Sequence, residues 1–223
     1  MFENMDIFSN IDKEIIKEMK SRGLIKIYEK DEIIFSEAEE HRNVYLVCSG
    51  KIILYKSSEE GDEKIIYILG RGDFLNELCI DDKSTSANAK VMEDSKIICF
   101  SKSDTIYWMR RDFNFNMIIM NSLSNKLRRS FRQIKNLGLK KTNYRIAARL
   151  WKLARDYGCP SNENIHIDIN MTHSQLASMV GTSRESVSRF LKNIERKNII
   201  KQKNQKIIIC SLSKLEDYTK SLS

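Results

Sequence analysis

Residues 171–192 have the sequence MTHSQLASMVGTSRESVSRFLK, which predicts two short helices joined by a tight turn. Thr172 can cap the first helix, because its hydroxyl oxygen can accept an otherwise unpaired amide proton of the first turn. Gly181 is expected to end that helix, since glycine adopts the left-handed conformation at a helix C-terminus at least cost. Ser183 is then in position to cap the second helix.

The second predicted helix has two different faces. Val187, Leu191 and Ile194 recur at steps of four and three, so they form its inner face. The outer face carries polar and charged residues: Arg184, Glu185, Ser188 and Arg189. An arginine fork matches two acceptors on the major-groove edge of guanine, and a glutamate accepts from the exocyclic amine of cytosine. The outer face therefore has the chemistry of a DNA base reader, although a solvated face with an internal Glu185–Arg189 ion pair would have the same composition.

The same residues resemble the helix-turn-helix of the Crp/Fnr family of bacterial transcription regulators. The segment LASMVGTSRESVSRFLKNIERKNII (176–200) is close to the signature of that family, and RESVSR (184–189) is similar to its recognition helix. The resemblance implies a DNA-binding regulator that acts as a homodimer on a palindromic promoter site, with half-sites such as TGTGA or TTGA and RNA polymerase as a partner. It assigns DNA contacts to Thr172, His173, Ser183, Arg184, Glu185, Ser188 and Arg189.

Composition and charge fit this class of protein. The apolar content of 41% and the charged content of 30% are typical of a soluble globular chain. The first residues are acidic and amphipathic and no apolar run approaches about 18 residues, so we expect a cytoplasmic protein that is not a membrane partner. Residues 138–223 carry 16 Lys/Arg against 7 Asp/Glu, whereas residues 1–137 carry 22 against 23. A basic C-terminal part suits the phosphate backbone of double-stranded DNA.

The sequence contains no pattern typical of a catalytic or metal centre. The cysteines Cys48, Cys79, Cys99, Cys159 and Cys210 include no CxxC-type pair, and the three histidines are scattered. We therefore expect no metal site, iron–sulfur cluster or haem. No Ser/His/Asp set or phosphate loop occurs either, so an enzyme is not expected. The cysteines at 48, 79 and 99 remain candidates for a thiol switch.

The N-terminal part has the pattern of an antiparallel β-structure. Short apolar segments follow one another from Leu24 to Phe100, separated by turns such as the one at Gly70–Asp73. Gly50 is expected to form a turn between VYLVCS and KIILYK. The stretch from Val44 to Leu78 resembles the cyclic-nucleotide-binding β-roll of the Crp/Fnr family. The fold class expected is thus α+β, with an N-terminal β-roll, a long dimerisation helix and a C-terminal winged helix-turn-helix.

The resemblance places an effector near the second turn of the β-roll. It assigns effector binding to Glu77, Leu78, Thr85, Ser86, Leu127, Ser130 and Phe131. Members that bind cyclic AMP have a glycine and an arginine where this chain has Asn76 and Thr85, and Phe131 is bulkier than the polar residue expected. A phosphate without its guanidinium, and near Asp81 and Asp82, would be held weakly. We therefore expect an unidentified small-molecule effector rather than cyclic AMP, or a purely structural β-roll with constitutive or thiol-controlled DNA binding.

The segment from about Asp112 to Leu137 predicts one long helix. Apolar residues recur along it at steps of four and three, with Ser124 at the one position where an apolar residue is skipped: Phe113, Met117, Met120, Leu127, Phe131 and Ile134. This spacing is typical of a coiled-coil seam and, with the resemblance, of a parallel dimer. The segment GLKK at 138–141 is the expected hinge. The predicted domains are 1–110 (effector domain), 111–138 (dimerisation helix and hinge) and 139–223 (winged helix-turn-helix), with a wing around Asn204 and Gln205.

Overall fold

A computed structural model describes residues 5–161, 164–203 and 206–222. The chain divides into an N-terminal unit that extends to Ser130 and a C-terminal unit that starts at Phe131. A long helix, α3, runs through this division. The secondary structure confirms the predicted fold class, an antiparallel β-roll followed by a long helix and a winged helix-turn-helix.

The N-terminal unit is an antiparallel sheet with helices at both ends of its sequence. It begins with a 3-10 helix at Asp6–Phe8 and helix α1 at Lys13–Arg22. The strands are β1 (Leu24–Tyr28), β2 (Ile33–Phe35), β3 (Asn43–Ser57), β4 (Glu63–Leu69), β5 (Phe74–Leu75) and β6 (Asn88–Ser101). The main strand order is β1-β6-β3-β4, while β2 pairs with β6 and β5 pairs with β3. A second 3-10 helix, Glu77–Asp81, follows β5.

The predicted turn at Gly50 is wrong. Gly50 lies inside strand β3, which continues for 15 residues and pairs with the equally uninterrupted β6. The register shifts between Ser49 and Ile52, and Gly50 has a φ of +86° there. A Cβ at this position would collide with the backbone of Asp94 and Ser95. Glycine is therefore required by a bulge and a close approach of two strands, rather than by a chain reversal.

Two apolar clusters lie within the described residues of the N-terminal unit. One lies among the strands and includes Val47, Ile52, Leu75 and Ile97. The other joins the sheet to the helices, and its larger members are Trp108, Phe74, Phe100 and Phe115. The rings of Phe100 and Trp108 meet edge to face with centroids 5.3 Å apart, a favoured aromatic geometry.

Helices α2 (Lys102–Arg111) and α3 (Phe113–Leu139) follow the sheet. Phe115 and Ile119 on α3 are fully buried in the cluster that joins sheet and helices. The predicted hinge at 138–141 is longer than the break that exists, because α3 continues through Gly138 and only Lys140 and Lys141 precede the next helix.

The C-terminal unit contains helices α4 (Thr142–Tyr157), α5 (His173–Val180), α6 (Arg184–Arg196) and α7 (Leu212–Ser221). Its antiparallel sheet has the order β7-β8-β10-β9. The strands are β7 (Gly158–Ser161), β8 (Asn164–Ile167), β9 (Ile200–Lys203) and β10 (Lys206–Ile209). The pair β9–β10 confirms the strands of the predicted wing, while the turn predicted at Asn204 and Gln205 lies outside the described residues.

Arg145 of α4 fixes the position of the helix-turn-helix. Its guanidinium donates to the carbonyls of Val180 (3.0 Å) and Gly181 (2.9 Å) at the end of α5, and to that of Lys140 (3.0 Å). These carbonyls belong to a helix end, where backbone acceptors lack partners within the helix. The half-buried arginine therefore ties the turn of the helix-turn-helix to the preceding helix. Among the described residues, no helix has both the length and the apolar character needed to cross a membrane.

Candidate nucleic-acid interface

The turn between α5 and α6 is built by the caps that the sequence predicts. Thr172 accepts from the backbone N–H of Gln175 (3.1 Å), and the Gln175 side chain accepts from the backbone N–H of Thr172 (2.9 Å), which completes a capping box. Gly181 ends α5 with a φ of +69°. Ser183 caps α6 by accepting from the backbone N–H of Ser186 at 3.2 Å. Both helices therefore begin, and α5 also ends, where their local sequence requires.

Helix α6 buries one face and exposes the other. Val187, Leu191 and Ile194 are fully buried. Arg184, Glu185 and Arg189 are exposed and Ser188 is half-buried on the opposite side. Within the described residues, Glu185 and Arg189 form no ion pair. The pKa of Glu185 is lowered by hydrogen bonds from its own backbone N–H and from Ser183, and by the nearby charge of Arg184, so this carboxylate is kept ionised. The outer face thus presents two guanidinium groups and one carboxylate.

The half-buried side chain of His173 makes hydrogen-bond contacts with other side chains of the protein through both ring nitrogens. Its Nδ1 lies 2.8 Å from the Ser188 hydroxyl of α6, and its Nε2 lies 2.9 Å from the side-chain oxygen of Gln202 in β9. Gln202 in turn contacts the Glu195 carboxylate through its backbone and side-chain N–H groups, each at 3.0 Å. This chain of contacts joins α5, α6 and the wing, and it uses both ring nitrogens of the histidine.

A cationic cleft lies beside the exposed face of α6. It has a volume of about 550 Å³ and is bordered by the first residues of α5, by Arg184, and by Lys203 and Lys206 of the wing. Lys203 is exposed, and Lys206 lies 3.5 Å from the Asp168 carboxylate. Helix N-termini and lysine side chains both attract anions, so the charge and donors of this cleft suit a phosphate backbone.

Glu77, the first residue predicted to bind the effector, is paired inside the protein. Only 2% of its side chain is exposed. Its carboxylate accepts from the Lys126 ammonium (2.5 and 2.7 Å) and from the Ser122 hydroxyl (2.6 Å), both on α3. The ammonium also donates to the Phe74 carbonyl at 2.7 Å, so its three protons are all used. The carboxylate that the resemblance assigns to an effector is thus already neutralised by the chain itself.

Thr85 and Asn76 also have partners within the β-roll. The buried Thr85 hydroxyl donates to the Ser36 carbonyl (2.5 Å) and accepts from the backbone N–H of Glu39 (3.1 Å). Asn76 has a φ of +57°, a conformation that asparagine tolerates better than most residues. Its side-chain amide donates to the carbonyls of His41 (3.2 Å) and Asn43 (2.9 Å).

The remaining residues of the predicted effector set have different surroundings. Leu78 and Ser86 are exposed, as are Leu127 and Phe131 on α3. Ser130 is half-buried, and its hydroxyl lies 2.6 Å from the hydroxyl of Tyr67 on β4. Tyr67 also donates to the Lys126 carbonyl at 2.6 Å. Glu77 therefore contacts α3, the helix that contains Ser130, but both residues already have partners from within the chain.

Lys126, Ser122 and Tyr67 are residues of this region that sequence reasoning did not identify. Lys126 lies within a basic stretch of α3, where it resembles the exposed arginines that follow it. Its one distinguishing sequence feature is its position seven residues after Ile119 and eleven after Phe115, on the face that α3 buries. That spacing could have indicated a lysine directed at the sheet.

The three cysteines proposed as thiol switches are poor nucleophiles. Cys48, Cys79 and Cys99 are buried, and burial raises the pKa of each thiol, that of Cys79 to about 11. Reactive thiols are accessible and have a lowered pKa. Cys159 of β7 is exposed. Across the described ranges, no group of three or more His, Cys, Asp or Glu side chains could hold a metal ion.

We expect an alkylating reagent to modify Cys159 of the native protein much faster than Cys48, Cys79 or Cys99. Mass spectrometry of peptides after timed alkylation measures this difference. The variant Cys159→Ser should remove the fast reaction, and treatment in denaturant should make all the cysteines react. Modification of Cys79 in the native protein at the rate of Cys159 would contradict the burial of that thiol.

Comparison with known proteins agrees with this architecture. A model of the cyclic nucleotide-binding domain matches residues 25–112, and a model of the Crp-like helix-turn-helix domain matches residues 144–218. The cyclic AMP receptor protein of Thermus thermophilus is 27% identical over 79% of this chain and 79% of its own length. The anaerobic regulatory protein of Bacillus subtilis is 25% identical over 85% of this chain and 81% of its own. The names of these two relatives refer to different signals.

The fold itself occurs in solved structures. A CooA mutant from Carboxydothermus hydrogenoformans superposes with a TM-score of 0.79 at 24% identity, covering 91% of this chain and 90% of the other. The two matched domains occupy most of the sequence and contain both the β-roll and the helix-turn-helix described above. This chain belongs to the Crp/Fnr family of DNA-binding transcription regulators and combines a cyclic nucleotide-binding-like domain with a Crp-like helix-turn-helix.

Proposed function

We propose that this protein is a homodimeric regulator that binds a palindromic DNA site through α6. The observation that carries the proposal is the division of α6 into a fully buried apolar face and an exposed face with Arg184, Glu185 and Arg189. Regulators of this family bind DNA, typically as dimers. Two copies of α6 would enter successive major grooves about 34 Å apart.

The side chains of α6 and its surroundings divide into base readers and backbone contacts. Arg184 and Arg189 match the paired acceptors of guanine, and the ionised Glu185 matches the amino group of cytosine. Thr172 and Ser183 lie at helix N-termini, where hydroxyl and backbone N–H groups suit phosphate oxygens. The wing lysines Lys201, Lys203 and Lys206 add positive charge to this contact.

Replacing Arg189 by alanine should weaken binding at the cognate palindrome by about 1–3 kcal/mol and reduce discrimination between bases at one position of each half-site. The reason is the loss of a bidentate contact that no neighbouring side chain can replace. Fluorescence anisotropy with the cognate site and single-base variants, at a stated salt concentration, measures both effects.

Lys192→Ala is the matched control, because Lys192 is exposed on the same helix and the substitution removes the same charge. This substitution should weaken binding to all DNA sequences by a similar small factor. If Arg189→Ala behaves in the same way and leaves discrimination intact, α6 does not read bases through this arginine.

We further propose that the β-roll controls DNA binding in response to a small molecule other than cyclic AMP. The support is the internal pairing of Glu77 with Lys126 and the position of Thr85, whose hydroxyl serves the β-roll rather than a ligand. DNA binding by the purified protein, alone and with 3′,5′-cyclic AMP, tests this directly. A marked increase with cyclic AMP would overturn the proposal, whereas full affinity without any addition would favour the alternative of a constitutive binder with a structural β-roll.

The domain organisation follows from the same proposal. Residues 1–110 would form the effector domain, 111–138 the dimerisation helix, and 139–223 the DNA-binding domain. RNA polymerase is the expected protein partner, and the cytoplasm, where bacterial promoters are, is the expected location. No catalytic role is proposed, in keeping with relatives that are named as transcriptional regulators.

A further inference from the structure

Of the four outer-face residues of α6, Ser188 is the one whose side chain contacts another element in the described part of the chain. Its hydroxyl contacts Nδ1 of His173 at 2.8 Å. It lies one helical turn after Arg184, so these two residues share a face of α6, and it directly precedes the exposed Arg189. A serine hydroxyl in such a place can ordinarily rotate, and then it either donates to a base or accepts from one.

The contacts beyond His173 determine where the protons lie. The Glu195 carboxylate can only accept, so the NH2 group of Gln202, 3.0 Å away, must be the donor that faces it. The carbonyl oxygen of the same amide therefore faces Nε2 of His173, at 2.9 Å, and this nitrogen must carry the proton. In a neutral imidazole the other nitrogen, Nδ1, is then bare and accepts. The Ser188 hydroxyl must accordingly donate its proton to His173.

We propose that this relay makes Ser188 a specificity-determining residue that can only accept a hydrogen bond from DNA. The proposal rests on the function proposed above, in which α6 lies in the major groove. With its proton used by His173, Ser188 offers only oxygen lone pairs. In the major groove only cytosine N4 and adenine N6 are donors, while guanine and thymine present acceptors at the equivalent places. One position of each half-site should therefore favour a base with an amino group opposite Ser188.

His173 is a positioning residue in this scheme: Gln202 fixes its tautomer, and it acts on DNA through Ser188. A free serine at this place would accept from one base or donate to another, and it would discriminate little. The network from Glu195 to Ser188 removes that freedom. Glu195 fixes the orientation of the Gln202 amide, the amide fixes the tautomer of His173, and His173 fixes the direction of the Ser188 hydroxyl proton. The same network spans α5, α6 and the wing strand β9, so it also holds the reading helix against the wing.

Selection of binding sites from a pool of randomised half-sites tests the proposal, using the full-length protein and three variants. The wild type should enrich cytosine or adenine at one position roughly threefold to tenfold, the range expected for a single hydrogen bond. Ser188→Ala should lose the preference at that position and keep those due to Arg184 and Arg189. The two other variants, His173→Asn and His173→Gln, form a matched pair.

The two His173 variants test the roles of the two ring nitrogens separately. The Oδ1 atom of asparagine is the same number of bonds from Cβ as Nδ1 of histidine, so His173→Asn keeps an acceptor for the Ser188 proton. The Nε2 atom of glutamine corresponds in the same way to Nε2 of histidine, so His173→Gln keeps the bond to Gln202 but removes that acceptor. We expect His173→Asn to retain the base preference and His173→Gln to relax it. Nitrogen NMR of the imidazole should show the Nε2–H tautomer in the wild type.

The possible outcomes distinguish this inference from the proposed function. If the wild-type protein enriches no common sequence, the DNA-binding proposal fails first. If it enriches a palindrome but Ser188→Ala leaves every preference intact, or His173→Gln selects the same bases as the wild type, the role of Ser188 is refuted. An Nδ1–H tautomer for His173 would refute it as well, without any DNA. The NMR result stands even if a variant proves too unstable for the selection.

Discussion

Replacing Lys126 by methionine should lower the free energy of unfolding of the N-terminal unit by about 3–5 kcal/mol, the usual cost of removing one partner from a buried ion pair. Methionine matches the length of the lysine stem but not its charge. The Glu77 carboxylate, only 2% exposed, would then keep the Ser122 hydroxyl as its one remaining partner among the contacts described. The Phe74 carbonyl would also lose its donor. A buried charge left in this way must either be solvated or take up a proton.

The chain offers a reporter for this unit. It contains two tryptophans, of which Trp108 is fully buried in the N-terminal unit and Trp151 belongs to α4 of the C-terminal unit. In a Trp151→Phe background, the fluorescence of Trp108 during urea denaturation follows the N-terminal unit alone. Arg128→Met is the control, because Arg128 is exposed on the same helix and loses the same charge. We expect this control to change stability by at most about 0.5 kcal/mol.

A second variant distinguishes the ion pair from simple packing. Substituting methionine for both Glu77 and Lys126 removes both charges and should recover most of the lost stability, because an apolar pair of similar volume is often as stable as a buried ion pair. Equal losses in the single and double variants would show that the loss does not come from an unpaired Glu77 carboxylate but from what both variants share, such as the missing hydrogen bond to the Phe74 carbonyl. A loss no larger than that of the control would contradict the buried pair itself.

The helix-turn-helix is the part of the fold that could be predicted almost completely from the sequence. Its boundaries depend on interactions between residues a few positions apart, namely the caps at Thr172 and Ser183 and the left-handed Gly181. The apolar period of α6 is equally local. Such signals are visible in a sequence because the partners lie within one turn of one another.

Contacts between distant residues could not be predicted in the same way. Lys126 and Glu77 are 49 positions apart, and His173 meets Gln202 across 29 positions. In the sequence, nothing around these four residues distinguishes them from ordinary polar residues of a protein surface. Gly50 illustrates the same difficulty, since a turn was expected there, whereas its place in a continuous strand depends on β6. In each case the determining partner comes from an element whose position only the tertiary fold establishes.

The surface of α3 is the strongest structural support for a dimer. The helix buries Phe115 and Ile119 in its own unit, and directs Ser122 and Lys126 to Glu77. The opposite face exposes large apolar side chains at coiled-coil spacing: Phe113, Met117, Met120, Leu127, Phe131 and Ile134. Leu127, Phe131 and Ile134 are 55%, 62% and 66% exposed, respectively. A single protein chain rarely leaves an apolar seam of this length in water, so we infer that a second copy of α3 covers it.

Replacing Leu127 and Ile134 together by aspartate should convert the dimer to a monomer and weaken binding to a palindromic site by about 10²–10⁴-fold, because the second half-site then no longer benefits from linkage to the first. Both residues occupy the same position in successive heptads, so the four new charges of a dimer would face one another across the seam. Sedimentation velocity measures the oligomeric state, and anisotropy with one or two half-sites measures the affinity. The folding of the monomer should be nearly unchanged, since both side chains are exposed.

Asn125→Asp provides the control for this last prediction. Asn125 is exposed on the same helix but off the seam, so the substitution adds a negative charge without entering the interface. It should leave the dimer intact and reduce DNA affinity only slightly. If the double aspartate variant still sediments as a dimer, the seam of α3 is not the interface. If it is monomeric but binds the palindrome as tightly as the wild type, dimerisation through α3 is not what joins the two reading helices on DNA.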